Sequence, residues 1–277
     1  SGLLGTCVGG SFALMAAASP PVRERVSFVS AYAPFSSLWT FARDIASASA
    51  ANDPGQADRR PWQVDQLTRR VFVHSLTAWL EPGEAAWLRA AFAAQPHPDG
   101  SEHPDGSEHP GGSEHPGCGG HPAGSGLPAG CGLPGEPELP GGDLPGGGDL
   151  SAGGLSADGQ AVQALFAAPD AVSAESALRR LPPAMQERLT AISPITHLPG
   201  LRAPLVILLH DRGDQVIPVG ESRRLVAALS GRAGVHYTEM QFSHLDPVKG
   251  KLPFFRLLRE LGKFLAAVYP IFRAATR

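Results

Sequence analysis

Near its start the chain reads Gly-Leu-Leu-Gly-Thr-Cys-Val-Gly-Gly over residues 2–10 and runs on into Ser-Phe-Ala-Leu-Met-Ala-Ala-Ala. An apolar strand end, a Gly-x-Cys-x-Gly turn and a small-residue helix follow one another without a break. This constrains the fold more than any other feature, because a strand turns into a helix that sharply only where the two backbones pass in contact. On this reading Gly5 and Gly9 flank the turn because neither has room for a side chain. Residue 7 is then lifted to the apex, so Cys7 stands above the strand end over the positive pole of the following helix, which favours a thiolate. The plainer reading is a glycine-rich turn around a buried, inert cysteine, and the residues that decide between them lie near the other end of the chain.

The 277 residues suffice for one large domain. Lys and Arg number 23 against 26 Asp and Glu, a net charge of -3, which offers no electrostatic footprint for nucleic acid or an anionic membrane. No apolar run approaches the roughly 20 residues of a membrane span. The sparse, odd set Cys7, Cys118 and Cys131 has no metal-ligand spacing and suits a reducing, cytoplasmic compartment, with no metal or organic cofactor. Only four residues precede Gly5, fewer than the about five or six of a typical buried strand. The chain is therefore expected to lack the first strands of its fold, leaving an open apolar sheet edge and an uncovered helix face.

Helical texture over 8–18 stops at Pro20-Pro21, and a β-rich run over 26–31 completes a parallel strand–helix–strand unit. Helices are expected over 39–48, 64–80 and 83–94, with Trp39, Phe41, Trp62, Trp79, Trp87 and Phe92 concentrated among them. Residues 95–159 are of a different kind. His-Pro-Asp-Gly-Ser-Glu units place His97, His103, His109, His115 and His121 at steps of six, and proline and glycine dominate. Such a segment buries too little apolar surface to offset chain entropy, so disorder is expected rather than a solenoid or a metal site. Helical signals return over 158–167 and 173–191, broken by Pro182-Pro183, and resume the texture left at Ala94. One helical subdomain split by a long insertion accounts for both halves.

The last segment supplies the deciding context. A wholly apolar strand over 203–210 is followed by Asp-Arg-Gly-Asp at 211–214, a helix is expected over 219–230, a strand over 235–240 and an amphipathic helix over 254–268. Between the last two lies Ser243-His244-Leu245-Asp246-Pro247. A carboxylate after one parallel strand and a histidine after the next share the sheet edge of Cys7, where catalytic groups gather in such sheets.

A cysteine elbow, an acid and a histidine in this order resemble the α/β-hydrolase family, over residues 1–37 and 201–277. Cysteine at the apex followed by Gly9-Gly10 is nearest to the dienelactone hydrolase branch, although those proteins carry no large helical cap. The resemblance implies an α/β-hydrolase fold, mostly parallel, with its carboxyl-terminal half present. It implies a core at 1–37 and 201–277, a helical cap at 38–94 and 160–200, and a disordered insertion at 95–159. It makes Cys7 the nucleophile, Asp214 the acid and His244 the base. Asp211 competes with Asp214, but the family's acid falls four residues after the strand-terminal residue, here His210. His210, His74 and His197 are expected to be structural, and His236 lies within a strand. The Val8 N–H, directly after the nucleophile, would be one oxyanion donor, and the second would come from an upstream loop. A small ester, lactone or thioester is the implied substrate. Acyl transfer to another nucleophile and catalytically silent binding are the alternatives.

Overall fold

The computed structural model describes residues 1–48, 62, 64–93, 154–241 and 254–275. Strand β1 (Gly2–Thr6) passes through Cys7 into α1 (Val8–Ala18), and β2 (Phe28–Tyr32) returns beside β1 with Gly5 opposite Ala31. Late in the chain, β3 (Leu205–Asp211), α9 (Val219–Ala228) and β4 (Val235–Met240) repeat the strand–helix–strand unit. The four strands lie in the order β1-β2-β3-β4, all parallel. The fold is α/β.

Alternation along β3 sorts its side chains onto two covered faces, which is why the strand is apolar throughout. Val206 and Leu208 join Val29 and Ala31 against Leu14 and Ala17 of α1, Leu225 of α9 and Leu229 directly after that helix. Ile207 and Leu209, pointing the other way, join Met240 against Ala267 and Ile271 of α10 (Phe254–Ala275). Helix α10 runs past the expected end at Val268 and contains Pro270. A proline inside a helix forfeits a hydrogen bond, but Ile271 just beyond it packs onto the sheet, and that burial keeps the last turns helical. β1 is an edge strand among the described strands, and Leu4 on it is 67% exposed. Leu258, Leu261, Leu265 and Tyr269 of α10 are exposed as well.

Between the two halves of the sheet come α2 (Leu38–Ala46), α3 (Gln66–Thr77), α4 (Pro82–Ala93), α5 (Ala157–Phe166), α6 (Ala171–Leu178), α7 (Pro183–Ala191) and the short α8 (Pro194–His197). Their starts are written in the sequence. Ser37, Asp65, Ser156 and Asp170 each accept a hydrogen bond from the N–H two or three residues on. Helices on both sides of the insertion share one core, in which Val73, Leu88 and Phe92 meet Val162, Leu165, Ala177 and Leu178. The Phe92 and Phe166 rings lie 4.8 Å apart.

Most of the histidine-rich stretch lies outside the described residues, but its last part corrects the expected boundary. Leu155 is buried in the helical core, and Ser156 caps α5 while its hydroxyl donates to Glu84 Oε2 at 3.0 Å. A single buried leucine followed by a capping serine ends the proline- and glycine-rich texture several residues before 159.

Candidate functional site

Cys7 occupies the step between β1 and α1 with φ 55° and ψ -130°. An L-residue enters this region only at a cost of about 1–3 kcal/mol, so the surroundings must impose it. The Cys7 N–H donates to the Tyr32 carbonyl at 2.7 Å, and the Cys7 carbonyl accepts from the N–H groups of Gly10 at 3.0 Å and Ser11 at 3.3 Å. Farther along α1, the buried Ser11 hydroxyl accepts from the Phe35 N–H at 2.9 Å and donates to the Phe35 carbonyl at 3.2 Å, locking the helix to the loop after β2. Cys7 itself is half-buried and is a free thiol.

The glycines divide their roles differently from the sequence expectation. A side chain at Gly5 would put its first carbon 2.3 Å from the Gly9 carbonyl oxygen and 2.6 Å from the Gly10 nitrogen. One at Gly9 would meet nothing within 4 Å. Gly9 is therefore not excluded from carrying a side chain, since it contributes only its backbone to the close approach. A helical residue later, Gly10 faces the strand, and a carbon added there would lie 3.1 Å from the Gly5 carbonyl oxygen and 3.3 Å from Ala31 Cβ. Val8 is the first residue of α1, where N–H groups have no partner within the helix.

Two buried carboxylates mark the end of β3, Asp211 as its last residue and Asp214 three residues on. Asp214 Oδ1 accepts from the N–H groups of Val216 at 2.8 Å and Ile217 at 3.1 Å, and Asp211 Oδ1 accepts from the Gly213 N–H at 2.9 Å. His210, fully buried, has its Nδ1 2.6 Å from Ser222 Oγ and its Nε2 2.9 Å from the Ile217 carbonyl, with Asp214 Oδ2 3.7 Å away. With both ring nitrogens engaged by the surrounding fold, His210 holds the acid loop in shape. Tyr32, whose carbonyl anchors Cys7, carries a phenol raised well above its ordinary range by burial and then by the nearby charges of Asp211 and Asp214. The elbow, the end of β2 and the acid loop thus share one edge of the sheet.

An apolar wall connects them to the helices. Phe35, Phe41, Ile45, Val64 and Ile217 form a buried cluster, against which Cys7, Trp62 and Val216 pack. The Phe35 and Phe41 rings stack 6.0 Å apart, and Phe41 and Trp62 lie 6.5 Å apart. Trp62 Nε1–H donates to the Asp214 carbonyl at 3.0 Å, and the Asp65 N–H to the Gln215 carbonyl at 3.0 Å. Nothing in the sequence around Trp62 marks it as a neighbour of Asp214.

The sequence reading also missed a buried charge network. Glu221 in the first turn of α9 accepts from the Ser36 N–H at 2.7 Å, the Ser37 N–H at 3.2 Å and the Thr40 hydroxyl at 2.9 Å, and also from the Ser36 hydroxyl and Arg224. Arg224 reaches Asp44 at 3.5 Å, and Arg43 reaches it at 2.6 Å. Burial raises the Asp44 carboxyl above its usual range, with the two arginines acting in the opposite direction. This network fastens the loop after β2 and helix α2 to the helix that follows the acid.

His244 and Asp246 lie outside the described residues. His236 is exposed on β4, His74 is exposed on α3, and the His197 Nε2 sits 2.7 Å from the Ala191 carbonyl. Among the described residues no group of His, Cys, Asp and Glu has the arrangement to hold a metal ion, and no helix is long and apolar enough to cross a membrane. A scan of the chain against protein-family models finds no match, and a search of curated proteins finds none either.

Proposed function

We propose that this chain carries the catalytic edge of an α/β-hydrolase, with Cys7 as nucleophile, His244 as base and Asp214 as acid, and that it cleaves an ester, lactone or thioester. The reading rests on one observation above the others. A cysteine held at φ 55° by the strand-to-helix turn stands on the same sheet edge as a buried aspartate whose carboxylate is fixed by two backbone N–H groups. Strain of this kind, enforced by hydrogen bonds and by the contact at Gly5, is worth its cost where a side chain must be presented outward.

In the reaction His244 takes the Cys7 thiol proton as sulfur attacks the substrate carbonyl, and Asp214 orients the imidazole. The Val8 N–H meets the oxyanion. Collapse of the tetrahedral adduct breaks the bond to the leaving oxygen or sulfur, which receives the proton from His244, and leaves a thioester on Cys7. Water, deprotonated by His244, then releases the acid and restores the thiol. The helical layer over this edge serves as the cap.

The test is turnover of a p-nitrophenyl ester, with mass spectrometry of the trapped acyl-enzyme. Cys7→Ala, His244→Ala and Asp214→Asn are each expected to lower kcat by about 100-fold or more, and the double variants no further than the worse single one. Full activity in Cys7→Ala would overturn the assignment.

A further inference from the structure

We propose that the helical layer takes part in the reaction through the acid, and that Trp62 is a positioning residue for Asp214. The inference rests on the role of Asp214 proposed above and deepens it. Just ahead of α3, Trp62 Nε1–H donates to the Asp214 carbonyl and the Asp65 N–H donates to the Gln215 carbonyl, each at 3.0 Å. The same Asp65 caps α3, its carboxylate accepting from the Thr68 N–H at 3.1 Å. Val64, between them in sequence, is buried in one cluster with Ile217. The start of a helix of the layer is thereby bound directly to the acid loop.

The bonds within that loop give the tie its consequence. Asp214 Oδ1 accepts from the N–H groups of Val216 and Ile217, and His210 Nε2 lies 2.9 Å from the Ile217 carbonyl, so the far end of the loop is fixed to the sheet. The carbonyls of Asp214 and Gln215, by contrast, are held from the helical layer. Each peptide unit is rigid and turns as a plane, so a plane released beside Asp214 changes the direction in which the Asp214 side chain leaves the backbone. Misplacing a catalytic group by about 1 Å costs up to about 100-fold in rate. A donor in the layer therefore governs the acid without touching substrate.

The experiment uses the full chain. Trp62→Phe keeps an aromatic ring and removes the donor, and it is expected to lower kcat on p-nitrophenyl acetate about fivefold, the effect of one hydrogen bond, with KM within about twofold. Trp79→Phe makes the same change at a half-exposed indole beside Arg188 and should leave both constants unaltered. In an Asp214→Asn background, Trp62→Phe should change kcat by less than about twofold, because it acts only through the carboxylate. Amide hydrogen exchange reads the tie without turnover: the Val216 and Ile217 amides should exchange at least about fivefold faster in Trp62→Phe and at the wild-type rate in Trp79→Phe. An unchanged kcat in Trp62→Phe would overturn the positioning role, and so would a loss of the same size in the Asp214→Asn background or in Trp79→Phe. Faster exchange in Trp62→Phe with no ester turned over by the wild type would uphold the tie to the acid loop and overturn the reaction, whereas unchanged exchange would overturn the tie itself.

Discussion

Replacing Gly5 and Gly9 one at a time by alanine separates two positions that look alike in the motif. At Gly5 the added carbon falls 2.3 Å from the Gly9 carbonyl oxygen and 2.4 Å from its carbon, against ordinary contact beginning near 3.4 Å. Strand and helix must then separate by about 1 Å, and both obstacles are backbone, so no side chain swings aside. The separation loosens the grip of Tyr32 on Cys7 and that of Ser11 on Phe35. Overpacking alone costs about 1–3 kcal/mol, and the loss of two or three hydrogen bonds of about 1 kcal/mol each brings Gly5→Ala to roughly 3–6 kcal/mol. At Gly9 the added carbon meets nothing, and alanine in place of glycine inside a helix is worth about 0.5–1 kcal/mol of added stability. The two variants should therefore differ by about 4–7 kcal/mol in urea unfolding followed by circular dichroism. A loss below about 1 kcal/mol at Gly5, or a comparable loss at Gly9, would refute the view that Gly5 and not Gly9 limits the approach of strand and helix.

Glu239 gives a pH signature. Its burial works to raise the carboxyl, but hydrogen bonds from Arg223, Tyr237 and Arg212 prevail and hold it at about 2, below the ordinary 4.5. A depressed carboxyl stabilises the fold above the unfolded-state value and loses that contribution as pH falls, so the advantage of wild type over Glu239→Gln should shrink from pH 4.5 downward and vanish near pH 2. A difference that stays constant across this range would show that Glu239 is not held by charge. A Gly-Ser linker in place of 95–153 should leave the melting temperature within a few degrees. A linker in place of 95–159 should lower it by considerably more, since it removes buried Leu155, worth about 2–5 kcal/mol, and the Ser156 cap, worth about 0.5–2 kcal/mol. Equal melting temperatures for the two deletions would place the boundary at 159 after all.

The strands and most helices were legible because their signals are local. Val235–Met240 is the strand that its β-rich composition predicts, and Pro182-Pro183 breaks α6 from α7 where a proline pair must. The elbow was legible for the same reason, since strand end, turn and helix follow one another in nine residues. What escaped depends on chain segments far apart. Glu221 reads as an ordinary exposed first-turn acid, and only the return of Ser36 and Thr40 to its side makes it a buried hub. Trp62 reads as one more aromatic of a helical layer until its indole meets the Asp214 carbonyl. Gly9 escaped differently. The motif shows that glycines are needed at the crossing, but which one faces the strand depends on helical phase, and that phase favours Gly10.

The bonds that fasten the helical layer to the sheet also impose an order in time. Ser36 waits for Glu221, 185 positions later, Leu38 for Ser193, 155 positions later, and Trp39 for Glu175, 136 positions later. At synthesis rates of about 5–20 residues per second, Glu221 leaves the ribosome roughly 10–40 s after Ser36. Throughout that interval the cysteine turn relies on contacts close in sequence, the Tyr32 carbonyl, the Ser11–Phe35 pair and the apolar side chains of Phe41, Ile45 and Val64. The nascent chain thus carries a thiol in a strained turn, its apolar cluster still missing Ile217, until the segment that brings Ile217 and Glu221 has emerged.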